Sequence, residues 1–289
     1  MTLPIRNGRI RIGQSSVFWR ETGYGSTVIF LHGNWQGGEQ WLPLMQALGQ
    51  HLHCLAPDLL GFGESSQLMI KHYSIQAELD CLTEYLTSLR VHPQILVAEA
   101  IGAWVAIRYC LQHPDRVKGL VLTAPEGLTH PLLARRWRGS RWLSNRWALR
   151  FWLLQLLSPL IKALGKGHWL QSIRQRRRQL RRHTATCRLL FQRRKSEIQA
   201  ESLNAALPHL NLPVLILSPE GAAHNVQLAN TLCHQMSPNA ELITIPGHDA
   251  EQVAATVKAV QTFIDNLNSG DRPVDALRIH GKPYSQPNI

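Results

Sequence analysis

Short runs of β-branched and leucine-rich positions recur at Val28 to Leu31, Ile95 to Val97, Leu120 to Leu122, Val214 to Leu217 and Leu242 to Ile245, with helix-length stretches between them. That alternation predicts parallel strands joined by crossover helices, an α/β architecture with a mostly parallel central sheet flanked by helices. The runs carry almost no polar interruption, which is the pattern of strands covered on both faces. Ligands on such sheets bind beyond the carboxyl ends of the strands, where His32, Ala100, Glu126, Ala222 and His248 all fall.

One run is more informative than the others. "QILVAEAIG", Gln94 to Gly102, reads as a buried strand, a tight turn and the start of a helix. In that context the pattern small-x-nucleophile-x-small places a Ser at the apex of a strained elbow. Here the small residues are Ala98 and Gly102, and the apex is Ala100. A methyl group forms no acyl or ester intermediate, so covalent catalysis is missing at its first step.

Charge divides the chain. Its 289 residues suit one α/β domain with an insertion, and its formal charge is +12. Between Glu126 and Glu201 stand 18 Lys and Arg against three acids, or +15, leaving 13 bases and 16 acids, or −3, elsewhere. The expected organisation is a core at 1–125 and 209–267, a basic helical cap at 126–208 and a loosely ordered tail at 268–289. Within the cap, Arg136-Trp137, Arg141-Trp142 and Arg146-Trp147 repeat every five residues. Each such step turns about 140° around a helix, so the repeat makes no single aromatic stripe on a straight one. The apolar run from Ala148 to Leu164 is interrupted by Arg150, Pro159 and Lys162 and is shorter than the ~20 residues that span a bilayer; it is suited to an interface instead.

The following "RQRRRQLRR" and "RRK" fit a surface resting on anionic lipid. The competing reading is a solvated cap whose Trp and Leu pack onto the core. Nucleic acid is disfavoured because no recognition motif accompanies the charge. Cys54, Cys81, Cys110, Cys187 and Cys233 are scattered without metal spacing and read as reduced packing thiols. "MTLPIRNGRIRIG" has no apolar signal core, so the expected location is cytoplasmic, with peripheral attachment to a membrane open to the basic cap. No phosphate-binding glycine loop is present, and neither metal nor cofactor is expected.

Four segments in order carry a resemblance to a known family. They are "TVIFLHGNWQGGEQW" (Thr27 to Trp41), "LHCLAPDLLGFGESS" (Leu52 to Ser66), "LVAEAIGAWVAIRYCLQHPDRVKGLVLTAP" (Leu96 to Pro125), and the pair "LPVLILSPEGAAH" (Leu212 to His224) and "ELITIPGHD" (Glu241 to Asp249). Over roughly residues 8 to 267 the chain resembles the α/β-hydrolase superfamily with an inserted cap. The resemblance implies that Ala100 holds the nucleophile's position, that Ala222 holds the acid's, and that His248 is the retained histidine. It also implies an oxyanion hole from the backbone N–H groups of Asn34 and Ile101. Some members supply the acid from the position of Glu126, which makes a Glu126–His248 pair the candidate catalytic dyad; Glu220 and Asp249 are poorer candidates, and Asp58 reads as a turn residue.

Two functions follow. One is a non-hydrolytic protein that binds an apolar or lipid-like ligand or partner under its basic cap. The other is a cofactor-free enzyme using His248, Glu126 and the oxyanion hole for proton transfer or lyase-type chemistry, or for weak non-covalent ester hydrolysis.

Overall fold

A computed structural model describes residues 3–65, 73–145, 149–163, 165–247 and 249–269, the side chains at 150, 161, 162 and 249 excepted. His248, Trp147 and nearly all of the 268–289 tail lie outside the described residues.

Four of the five apolar runs form inner strands of an eight-stranded sheet, and the fifth forms its edge. In chain order its strands are β1 (Arg6–Ile12), β2 (Ser15–Thr22), β3 (Ser26–Leu31), β4 (Leu52–Pro57), β5 (Ile95–Glu99), β6 (Gly119–Thr123), β7 (Val214–Pro219) and β8 (Ala240–Ile245). Their spatial order is β1-β2-β4-β3-β5-β6-β7-β8, parallel from β4 onward, with the β1–β2 hairpin added antiparallel at one edge. The central strands β3, β5, β6 and β7 are buried almost throughout. β8 departs from the expectation of two covered faces: it is the sheet's edge, and most of its residues are only half-buried. The hairpin was not among the predicted strands; its residues Arg9-Ile10-Arg11-Ile12 alternate, with both arginines exposed and Ile12 buried.

Helices cover both faces, as parallel crossovers require. On one side α1 (Leu42–Leu48) and α12 (Asp249–Ser269) bury Leu44, Met45, Leu48, Val260 and Phe263 against Phe30, Val97 and Leu215. On the other, α2 (Ile75–Ser88), α3 (Ile101–Gln112) and α11 (His224–Met236) pack through Leu79, Tyr85, Trp104, Ile107 and Cys233. The Ser74 hydroxyl starts α2 by accepting the Ala77 N–H at 3.0 Å, satisfying one of the first-turn donors. All five cysteines are free, and four are buried.

Between β6 and β7 the described residues form seven α-helices, α4 (Pro131–Arg136), α5 (Arg138–Ser144), α6 (Leu149–Leu156), α7 (Ser158–Ala163), α8 (Gly167–Arg182), α9 (Thr184–Cys187) and α10 (Lys195–Ala200), with a π-helical turn at Arg188–Gln192 and a 3-10 turn at Leu207–His209. The segment bearing the Arg-Trp repeat is therefore broken rather than one straight helix. Trp137 and Trp142 pack against the core, while Trp152 is exposed. Among the described residues no helix is long and apolar enough to cross a membrane.

Candidate functional site

β5 ends at Glu99 and α3 begins at Ile101, so a single residue makes the whole turn. That residue is Ala100, at φ 49° and ψ −111°, a left-handed conformation that costs a non-glycine residue about 1–2 kcal/mol. The surrounding backbone holds it there. Ala100 N–H donates to the Thr123 carbonyl at 3.1 Å, and the Ala100 carbonyl accepts the N–H groups of Trp104 and Glu126, each at 3.1 Å. Gly102 is required by crowding: a Cβ on it would lie 2.5 Å from the Leu31 carbonyl oxygen. The bend is thus sharp, tightly packed and tied to the ends of β3 and β6, with a methyl group at its apex.

The loop after β3 faces this bend. His32 is buried and neutral: its Nε2 accepts the Leu59 N–H at 3.0 Å, so the proton sits on Nδ1, which donates to the Gly33 carbonyl at 2.9 Å. Burial holds its pKa below the ordinary value. Asp58 is a structural turn residue, accepting the Gly38 and Glu64 N–H groups at 2.5 and 2.8 Å and Arg20 at 3.0 Å.

Asn34 connects this loop to both the bend and the inserted helices. Its Oδ1 accepts the Ile101 N–H at 3.2 Å, and its Nδ2 donates to Glu126 Oε1 at 2.9 Å. The other carboxylate oxygen of Glu126 is paired with Arg136 at the end of α4. The Thr186 hydroxyl, on α9, donates to the Asn34 carbonyl. A chain of four residues, Arg136, Glu126, Asn34 and Ile101, therefore runs from the inserted helices to the first N–H of α3. Of the two groups expected to form the oxyanion hole, the Ile101 N–H already has a side-chain acceptor, and that acceptor belongs to the other residue. The side-chain parts played by Asn34 and Arg136 were not anticipated. Asn34 enters the sequence reading through its backbone N–H alone, and Arg136 only as part of the Arg-Trp repeat.

The structure brings Ala100, Ile101, Asn34 and Glu126 together. Ala222 lies across the carboxyl end of the sheet, in the turn between β7 and α11, where its N–H donates to the Pro219 carbonyl at 3.1 Å. The loop leading to position 248 packs on that turn: a Cβ at Gly247 would sit 2.2 Å from the Glu220 carbonyl oxygen. His248 itself is outside the described residues, so its pairing with Glu126 has no geometry here; the described partners of the Glu126 carboxylate are Asn34 and Arg136.

Glu99, just before the bend, points away from Ala100 toward α1. Its Oε2 accepts from Gln40 Nε2 at 2.8 Å, while Gln40 Oε1 accepts the Gly33 N–H at 3.0 Å. Burial raises its pKa, partly opposed by the Gln40 hydrogen bond. It lines a cavity of about 210 Å³ with Thr123, Leu217, Ile245 and Thr256.

Trp35 packs edge-on against Trp137 and His183, with centroids 5.9 and 5.5 Å apart. Beside it a cleft of about 430 Å³ is lined by Trp137, Ser140, Arg176, Gln179 and Leu180. Among the described residues no three His, Cys, Asp or Glu side chains gather as metal ligands would.

This sheet order, with a one-residue bend between the central strand and its helix, defines the α/β-hydrolase class of fold. The sequence profile of the alpha/beta hydrolase family matches residues 28–259, and the chain belongs to that family. It is 29% identical over 115 residues to 2-hydroxymuconate semialdehyde hydrolase of a Pseudomonas species, covering 39% of this chain and 41% of that protein. It is 30% identical over 108 residues to a monoacylglycerol lipase of Xenopus laevis, covering 37% and 32%. The matched stretch thus spans less than half the length of these relatives. In three dimensions, a haloalkane dehalogenase from Bradyrhizobium elkani superposes with a TM-score of 0.69 at 18% identity, over 93% of this chain and 100% of that one.

Proposed function

We propose that this member of the family uses the hydrolase frame to bind rather than to cleave, taking an apolar or lipid-like ligand beneath the basic cap formed by residues 126–208. The observation that carries the reading is the pairing of Ala100 at the apex of the bend with Asn34 Oδ1 on the Ile101 N–H. An acyl-transfer enzyme needs an attacking group at the apex and leaves that N–H available to the oxygen that becomes charged in the transition state. Here the first is a methyl and the second already has an acceptor. Loss of the nucleophile in a Ser-His-Asp enzyme costs on the order of 10⁶ in turnover. The resemblance that places Ala222 at the acid position points the same way.

The cleft beside Trp35 supports the ligand class. Two indoles and Leu180 offer an apolar wall, and Ser140, Gln179 and Arg176 offer a polar end. The proton-transfer alternative needs Glu126 to orient His248, whereas the described partners of the Glu126 carboxylate, Asn34 and Arg136, suit a structural tie between the bend and the inserted helices. A panel of p-nitrophenyl esters tests the proposal on the wild-type chain, Ala100→Ser, Ala222→Asp and the double variant. The expected result is no burst from the wild type and a gain confined to the double variant. A burst from the wild type would refute it.

A further inference from the structure

Among the described residues, the most exposed large apolar side chains cluster on the inserted helices α6 and α7. Leu149, Trp152, Leu153, Leu156 and Leu160 are between 57% and 78% exposed, and Leu157 accompanies them at 42%. Leu149, Trp152, Leu153 and Leu156, spaced three, one and three residues apart, share one face of α6, and Leu157 and Leu160 follow in the next turn and in α7. The opposite face of α6 is already used. Phe151 is buried with the Arg177 guanidinium 4.2 Å over its ring, and Gln155 Oε1 accepts from Arg174 Nε at 2.7 Å. A contiguous apolar ridge left facing outward marks an interaction surface.

We propose that this ridge is a docking surface for an anionic lipid bilayer, with α6 and α7 lying in the interface and the arginines of α8 against the headgroups. The two contacts between α6 and α8 fix the arrangement. Phe151 meets Arg177 and Gln155 meets Arg174, so the helices run antiparallel, with α8 packed on the face of α6 opposite the ridge. Arg178 and Arg181 stand four and seven residues beyond Arg174, on the same side of α8, and both are exposed. From Gly127 through Ser196 the sequence holds 18 Lys and Arg and no Asp or Glu, so no acid of this segment neutralises them. Trp152 within the ridge and exposed Trp169 at the start of α8 are the side chains that favour the headgroup level.

An outward apolar face backed by a cationic helix complements a surface that is apolar beneath and anionic above. A second copy of the chain fits less well, because it would bring another cap of charge +15 against the first. A nucleic acid would answer the charge but gain nothing from a leucine ridge. Docking here does not depend on what the cleft beside Trp35 binds.

Flotation of the full chain tests the surface, comparing phosphatidylcholine vesicles with vesicles in which about a third of the lipid is phosphatidylglycerol. The expected preference for the anionic vesicles is at least about tenfold, lost to a similar degree in Leu153→Glu/Leu156→Glu and in Arg178→Glu/Arg181→Glu. These side chains are exposed, so melting temperature should hold in both variants. Quenching of tryptophan fluorescence by brominated lipid, reduced in Trp152→Phe, gives a readout that tolerates a failed charge-reversal variant. Four results would each overturn the proposal. They are equal binding to the two vesicle types, retained binding by the leucine variant, quenching unchanged in Trp152→Phe, and light scattering that shows a dimer dissolved by the leucine variant.

Discussion

The side-chain oxygen of Asn34 accepts the backbone N–H of Ile101 at 3.2 Å. The N-terminus of a helix is a ready anion site because its first N–H groups lack intrahelical partners. In this protein one of those donors is capped from across the bend by a neutral amide, which Glu126 holds in place from behind. The bend keeps its strained geometry, with a methyl group at its apex and the first N–H of its helix already paired.

Asn34 is therefore expected to be a structural linchpin. Asn34→Ala leaves the Ile101 N–H and one Glu126 oxygen without their partners, at a cost of about 2–4 kcal/mol. Asn34→Asp keeps an acceptor for Ile101 but sets a second carboxylate against Glu126, and it should be at least as destabilising. Urea midpoints of the three proteins check this. A midpoint unchanged by either substitution contradicts the hydrogen-bonded chain.

The Glu126–Arg136 pair joins the sheet to the inserted helices, and both side chains are largely buried. Glu126→Gln leaves the Arg136 charge uncompensated and should cost about 3 kcal/mol, whereas Glu126→Gln with Arg136→Met should cost less than the sum of the single changes. A double-mutant cycle in thermal unfolding measures the coupling. Strict additivity would mean that the two residues do not act as a pair.

Glu78 gives the fold a pH dependence of known sign. Its carboxyl is fully buried, accepts the Leu60 N–H at 3.0 Å, and is pushed by desolvation from 4.5 up to about 8. The folded protein therefore binds a proton that the unfolded chain has released. Its contribution to stability is complete below pH 4.5, declines by roughly 1.4 kcal/mol per pH unit and is gone above about pH 8. Glu78→Gln removes the decline, so its stability relative to the wild type should rise across that window. Parallel slopes for the two proteins would contradict the assignment.

Crowding at the bend is tested by Gly102→Ala. The added methyl meets the Leu31 and His32 carbonyl oxygens at 2.5 and 2.6 Å, both backbone atoms that cannot swing aside. A loss of roughly 2 kcal/mol or more is expected in chemical denaturation.

The sequence made the central sheet legible because β3, β5, β6 and β7 are buried on both faces, which leaves a run of apolar residues with little else it can be. The bend was legible because small residues, Ala98 and Gly102, flank its apex at Ala100, and Gly102 would clash with any side chain. The edges were harder. β8 shares the apolar composition of a central strand but lies at the rim, and the hairpin's alternation is confined to the few residues from Arg9 to Ile12. The side-chain role of Asn34 was not legible, because a link across 67 positions to Ile101 and 92 to Glu126 leaves no local pattern. Arg136 and Trp152 belong to one basic, tryptophan-rich segment, yet one is drawn inward by a buried carboxylate and the other stays in solvent. Only the tertiary partner separates them.

Intact-mass analysis after treatment with a fluorophosphonate probe tests the central claim most directly, since the reagent marks an activated nucleophile whatever the natural ligand. The wild-type chain should show no added mass, and Ala100→Ser/Ala222→Asp should acquire one adduct that maps to position 100. A stoichiometric adduct on the wild-type protein would contradict the account.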